Sequence, residues 1–214
     1  MTDAEQQIIL EHTRITPVPL VPEVRLYLAE QLVPLWQATE WRAAAPQPPP
    51  FWAFAWPGSI VLARYMLDAP DTVQAKRVLD FGSGSGLAAI AAALAGAAEV
   101  VACDMDPLAA VAARLNCALN AVEVNYVLGD CVAQPYEWNV ILAGDVCYER
   151  EPAEATIAWL RMQASRGALV LLADPGRHYA PVDGLELLQT YEVPVLKELE
   201  STDMKRTRLW RMVG

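Results

Sequence analysis

From Arg77 onward, apolar runs of two kinds alternate along the 214-residue chain. Short continuous runs rich in Val, Ile, Leu and Ala predict strands near 77–81, 98–103, 123–128, 138–144 and 167–173. Helices fit the apolar spacing at 86–96, 107–120 and 152–165. This alternation predicts an α/β fold built on a doubly wound, parallel, Rossmann-like sheet. The end of the chain breaks the rhythm. LELLQTYEVPVL and KRTRLWRMV are strand-like runs separated by a polar turn with no helix, and they read as a terminal antiparallel hairpin.

The first fifty residues follow a different pattern. A helix is expected to begin near Pro22, where the missing N–H costs nothing in a first turn, with Leu28, Leu32 and Leu35 on its apolar side. AAAPQPPP then forms a Pro-rich linker, unfit for helix or central strand. Residues 1–50 are therefore expected to be an N-terminal helical extension with a linker, and 51–214 the α/β domain. FWAFAWPG opens that domain, and its Pro-Gly should start the helix SIVLARYMLDA. Phe51 and Phe54 are expected in the core. Trp52 and Trp56 stand before the Pro-Gly, where a mobile lid would stack on a ligand or substrate.

Hydrophobic residues make up 54% of the chain and charged residues 20%, enough for one good-sized core. The N-terminus lacks a signal-like pattern, and the longest apolar run, Leu87 to Ala98, is short for a membrane span. A soluble cytoplasmic protein, working as a monomer, is expected. The net charge of −10 argues against nucleic acid as a partner and suits a basic protein surface. The four cysteines form no CxxC pair and only two histidines occur, so no metal site is expected and the thiols read as buried and free.

The candidate chemistry lies in VLDFGSGSG. The spacing is GxGxG, whereas a dinucleotide loop wants GxGxxG and a P-loop wants GK[ST]. Asp80 precedes the loop at a strand end. A carboxylate there repels a pyrophosphate and accepts from an ammonium group. Asp104 ends the next strand, where an acid can accept both ribose hydroxyls. Asp106 precedes Pro107 and reads as a helix N-cap. Asp130 follows the third strand and can accept from an adenine amine. Three acids at three successive strand ends point to an adenosine ligand carrying a cationic amine, of the S-adenosylmethionine type.

VLDFGSGSG, ACDMDP and the strand-end GD resemble the class I, seven-strand S-adenosylmethionine-dependent methyltransferases, and the closing hairpin agrees with their seventh strand. PPPFWAFAWPGSIVLARYMLD, CDMDPLAAVAARLNCALN, GDVCYE and DPGRHYAP resemble, over nearly the whole chain, the electron transfer flavoprotein β subunit lysine methyltransferases and their bacterial relatives, within methyltransferase family 16. The single Gly of AWPGS departs from a pattern often carrying two. The resemblance implies that Asp80, Gly82, Ser83, Gly84 and Gly86 form the cofactor loop. It implies that Asp104 holds the ribose and Asp130 the adenine, that Trp56 and Gly58 close over the cofactor, and that Met105, Cys131 and Gly144 also bind it. Asp145 and Tyr148 match the family's DxxY element and become the catalytic pair. Trp52, Asp174, Arg177 and Tyr179, with His178 beside them, are candidates for binding the protein substrate, although Asp-Pro-Gly is also an ordinary turn.

The implied chemistry is N-methylation of a lysine on a protein substrate, the flavoprotein β subunit or a ribosomal protein. Lysine starts with a pKa of about 10.4 and must lose a proton before it attacks. Asp145 would orient the amine, and positioning of this kind can supply roughly 7–11 kcal/mol. A small-molecule amine methyltransferase of the nicotinamide type, and a non-catalytic binding module, are the competing classes.

Overall fold

The computed structural model describes residues 3–132 and 137–213. Its first fifty residues depart from the expected helix at Pro22. Helix α1 (Asp3–His12) leads into an antiparallel hairpin of β1 (Arg14–Val18) and β2 (Val21–Leu28), followed by α2 (Leu32–Ala43). The leucines at 28, 32 and 35 have helical spacing but straddle two elements. Within β2 the alternation decides: Val24 and Leu26 are buried while Arg25 between them is exposed. Pro22 lies where the register slips, between the Val18–Val21 and Pro17–Arg25 pairs, so no ladder N–H is lost. Val18, Val21, Val24 and Leu26 join the core of the α/β domain.

A 3-10 turn over Phe51–Ala53 precedes α3 (Pro57–Asp68). The chain then alternates through β3 (Arg77–Phe81), α4 (Leu87–Leu94), β4 (Glu99–Asp104), α5 (Pro107–Leu119), β5 (Asn125–Leu128), β6 (Val140–Gly144), α6 (Arg150–Ser165) and β7 (Leu169–Asp174). It closes with β8 (Leu185–Pro194), α7 (Lys197–Glu200) and β9 (Met204–Met212). The sheet order is β5-β4-β3-β6-β7-β9-β8, parallel except for β9, which pairs antiparallel with both β7 and β8. The predicted strands and helices lie within about two residues of these bounds. The polar turn between the last two strands is a correction: it holds the one-turn helix α7.

Both faces of the sheet are covered, and the strands alternate accordingly. Val78, Val140, Leu142 and Leu171 pack with α3 and α4. Leu79, Ile141, Val170 and Leu172 pack with Ile157 and Leu160 of α6. Asp106 caps α5 as expected, accepting from Leu108 N–H at 2.8 Å with Pro107 in the first turn. Asn116 of α5, fully buried, accepts from Tyr27 N–H at 2.8 Å and donates to the Ser85 carbonyl at 2.9 Å. One amide thus ties the N-terminal hairpin to the glycine loop.

The expectation of four free thiols is corrected. Cys103, at the end of β4, is bonded to Cys131, with their Cα atoms 6.5 Å apart, while Cys117 and Cys147 are free and buried. Their separation of 28 residues matches no local motif, and only the pairing of β4 with β5 brings them together. Among the described residues no helix is long and apolar enough to cross a membrane.

Two measurements check these contacts. Asn116→Leu is expected to lower unfolding stability by roughly 1–3 kcal/mol in a urea titration, because it strands the buried Ser85 carbonyl and the part-buried Tyr27 N–H. Thiol titration of the denatured, unreduced protein is expected to find two reactive thiols, and four after reduction.

Candidate active site

Strand order reverses between β3 and β6, so the carboxyl ends of these neighbours flank the crevice where doubly wound sheets bind ligands. The glycine loop leaves β3 there, and the Asp145 segment leaves β6. Gly82, Gly84 and Gly86 all have positive φ, at 67°, 49° and 78°. A side chain would strain each, and at Gly86 a Cβ would stand 3.1 Å from the Ala113 Cβ. Ser83 is buried, its N–H donating to the Cys103 carbonyl at 3.0 Å. A Cβ at Gly82 would lie 3.3 Å from Val146, so loop and Asp145 segment are in contact range.

The three strand-end acids lie at different depths. Asp80 is paired in register with Ala102, two rungs below Asp104. It is buried and accepts from Ala89 N–H at 2.9 Å. Burial pushes its carboxyl up to about 7, the Ala89 bond opposes this, and Asp104 adds to it. Asp104 accepts from Gly84 N–H at 2.8 Å and from Asp106 N–H at 3.0 Å. Asp130 is exposed and accepts from Val132 N–H at 2.8 Å. Met105 is exposed on the same rim. Cys131, next in the chain after Asp130, is buried with its sulfur bonded to Cys103, so its thiol is not free as expected.

Asp145 is the most constrained residue of the crevice. It is 8% exposed and has a φ of 55°, unusual for a residue with a side chain. Its Oδ2 accepts from Gly58 N–H at 2.5 Å, and its Oδ1 accepts from Arg177 Nη2 at 2.8 Å and Nε at 3.2 Å. Burial pushes the carboxyl up to about 6, with Arg177 pulling it back. Gly58 is wedged beneath the strand ends, where a Cβ would stand 2.4 Å from the Ala173 carbonyl. At Gly144 a Cβ would meet Ser59 N at 2.8 Å. Tyr148 is half exposed, with its ring centroid 5.6 Å from Phe51, which in turn packs edge-on to Trp56 at 5.5 Å.

The aromatic assignments exchange places. Trp52 is 1% exposed, packed with Ile9, Leu35 and Ala112, and is core rather than lid. Phe51, expected in the core, is half-buried and stands between Trp56 and Tyr148. Within a 3-10 turn, neighbouring side chains point about a third of a turn apart, so only one of the two can face inward. Phe54 is buried as expected. Asp174 is fully buried and accepts from the N–H groups of Gly176 and Arg177, both at 2.6 Å. It shapes the turn and cannot touch a protein substrate. Arg177 reaches Asp145, whereas Tyr179 turns to α6, under the Arg150 guanidinium at 5.7 Å and edge-on to His178. The residue missed in the sequence is Glu200 of α7, buried and paired with Arg177 and Lys205. No motif marks it, and only the insertion of β9 brings it to Arg177.

A family model for ribosomal protein L11 methyltransferase (PrmA) matches residues 62–145. An electron transfer flavoprotein beta subunit lysine methyltransferase from Xenopus laevis is 41% identical over 177 residues, covering 80% of this chain and 70% of its own length. The protein of the same name from Danio rerio is 35% identical over 217 residues, covering 98% of this chain and 83% of its own. The chain belongs to the electron transfer flavoprotein β subunit lysine methyltransferase family. Solved folds agree with this methyltransferase. The ribosomal protein L11 methylase from Lactobacillus delbrueckii subsp. bulgaricus has a TM-score of 0.53 at 19% identity, over 75% of this chain and 81% of its own. Magnesium protoporphyrin IX methyltransferase from Synechocystis, solved with bound S-adenosylmethionine, has a TM-score of 0.53 at 14% identity, over 72% of this chain and 77% of its own.

The cofactor of this methyltransferase is S-adenosylmethionine. Its crevice fits that group. No Lys or Arg occurs between Arg77 and Arg114, so the loop and both flanking strand ends offer carboxylates and no counter-charge for a phosphate. The three glycines hold the loop in a left-handed conformation that side chains would strain.

The Asp80 environment yields a pH test. Its carboxyl lies above the ordinary 3.8, so ionising it costs the folded state. That cost is absent below about pH 4 and is complete above about pH 7. Asp80→Asn can keep the Ala89 bond. It is expected to melt above the parent at about pH 8, with the gap closing near pH 4, as read by scanning calorimetry.

Proposed function

We propose that this methyltransferase transfers the methyl group of S-adenosylmethionine to the ε-amino group of a lysine on electron transfer flavoprotein β subunit. The observation that carries this reading is the buried Asp145 carboxylate at the strand-order reversal, behind a rim of Phe51, Trp56 and Tyr148. A lysine presents an apolar stem to such a rim and a cation to such an acid. The named substrate of the Xenopus laevis and Danio rerio relatives supports the choice of acceptor. The chain's net charge of −10 agrees with a cationic target.

When bound, the cofactor supplies a methyl group already activated on a sulfonium. This chain's residues position and desolvate. Gly82, Ser83, Gly84 and Gly86 give the loop that receives the amino acid portion, above the buried Asp80. Asp104 keeps lone pairs for the ribose hydroxyls beyond its bonds to Gly84 and Asp106. Met105 flanks the ribose, and Asp130 takes the adenine amine. Asp145 accepts from the acceptor nitrogen and aims its lone pair, with Tyr148 as the second contact. Its raised carboxyl also lets it share the proton that lysine must shed. Residues 51–214 form the methyltransferase domain in this reading. Residues 1–50 act as an extension whose hairpin braces the cofactor loop through Asn116.

The test is transfer of labelled methyl from S-adenosylmethionine into an extract lacking the enzyme, with Asp145→Asn as control. The expected result is one labelled band that mass spectrometry identifies as the flavoprotein β subunit, modified on lysine, with label reduced at least about 100-fold in the variant. A labelled ribosomal protein would redirect the acceptor, and label confined to small molecules would refute protein methylation.

A further inference from the structure

Arg177 is held on every side. Its backbone N–H is fixed by Asp174 Oδ1 at 2.6 Å. One edge of its guanidinium donates to Asp145 Oδ1, through Nη2 at 2.8 Å and Nε at 3.2 Å. The other donates to Glu200, through Nη1 at 3.1 Å and Nη2 at 2.5 Å. The Trp56 ring stacks at 5.7 Å from its Cζ. Glu200, 8% exposed, also pairs with Lys205 at 3.0 Å. The cluster therefore sets three carboxylates, Asp145, Asp174 and Glu200, against two cations, Arg177 and Lys205.

Fully ionised, that cluster lacks one positive charge, and an entering lysine ammonium would bring it. Yet Oδ1 of Asp145 already carries two donors and Oδ2 is clamped by Gly58. A carboxylate oxygen has two lone pairs in its plane, so Oδ2 keeps one beside its Gly58 bond, whereas Oδ1, on the side that Arg177 holds, serves an amine only once Arg177 releases it. Glu200 makes that release cheap, because it holds both terminal nitrogens of the guanidinium.

We propose that Arg177 is a positioning residue that stands in for the acceptor cation: it keeps the Asp145 carboxylate charged and aimed in the free enzyme, then cedes Oδ1 to the acceptor amine while Glu200 retains it. This rests on the reading of Asp145 as the group that receives the amine. The charged and titratable groups that act on Asp145 are Arg177, Asp174 and the Cys147 thiol, which burial pushes up to about 12, while Glu200 and Lys205 stand behind Arg177 in the same chain of ion pairs. Of these, Arg177 makes the direct ion pair. Burial alone would keep Asp145 protonated further above its value of about 6, and Arg177 opposes this.

Arg177→Met, Arg177→Lys and Glu200→Gln separate this role from plain substrate binding. Arg177→Met is expected to leave S-adenosylhomocysteine affinity within about twofold and to cut kcat/KM at least about 30-fold. The acid limb of its pH profile should move up by about one unit or more. Arg177→Lys should bring the limb back toward the parent. Glu200→Gln should leave the limb in place and raise KM several-fold, because Arg177 is no longer drawn away from Oδ1. An unmoved limb in Arg177→Met, with KM alone raised, would overturn the proposal.

A second arm needs no acceptor. Relative to the parent, Arg177→Met should lose melting temperature progressively from about pH 6 to pH 9, and that loss should shrink markedly in an Asp145→Asn background, leaving only the part due to Glu200. Equal pH dependence in parent and variant would refute the pairing. If the parent methylates no protein, the proposed function fails while this arm still decides whether Arg177 holds Asp145 charged. Should the Met variant fail to fold, Arg177→Gln, which keeps hydrogen-bonding capacity but not the charge, carries the same comparison.

Discussion

The site depends on how closely one helix end can approach two strand ends. The first turn of α3 rests on the carboxyl ends of β6 and β7, and only because Gly58 and Gly144 lack side chains. A Cβ on Gly58 would overlap the Ala173 carbonyl and Asp145 Oδ2, and one on Gly144 would overlap the Ser59 amide. With both absent, the Gly58 N–H reaches Asp145 directly. That N–H belongs to a helix N-terminus, whose partial positive charge favours a carboxylate. Backbone contact therefore fixes the acid at the crevice in a left-handed conformation that a surface loop would not sustain.

Burial gives this charge cluster its weight. Exposed pairs elsewhere, such as Arg206 with Glu192, are worth about 0–1 kcal/mol and are screened by salt. The Asp145–Arg177–Glu200 chain is largely withdrawn from water, where leaving one member unpaired costs roughly 3–5 kcal/mol. Such a cluster is a poor source of net stability and a good source of fixed geometry. It tolerates a change of partner, provided that a cation is always present.

Much of this was legible in the sequence for a physical reason. Parallel strands buried on both faces read as continuous apolar runs, and the glycine loop carries a spacing that only a few ligands accept. The strand-end acids Asp80, Asp104 and Asp130 could be placed from the strands alone, as could the N-cap at Asp106. What stayed hidden was set by tertiary packing. Val24 and Leu26 point inward because a core awaits them, which overrode the helical spacing of the nearby leucines. Trp52 and Phe51 are alike in composition and differ only in which side of one turn they occupy. Cys103 and Cys131 pair because β4 lies beside β5, and Asp174 is a turn-former whose burial no local pattern announces. Glu200 was invisible for the same reason, since its partner stands 23 residues away in the chain, on the far side of the edge strand β8.

The place of β9 carries a consequence for synthesis. It lies between β7 and β8 although it follows both in the chain, so β8 leaves the ribosome with no sheet neighbour to join. Glu200 and Lys205 travel in the same late segment. The counter-charges of Arg177 are therefore completed only when that strand slots into place. A nascent chain can build its glycine loop and most of its core early, but it gains a working charge cluster last, which ties catalytic competence to finished folding.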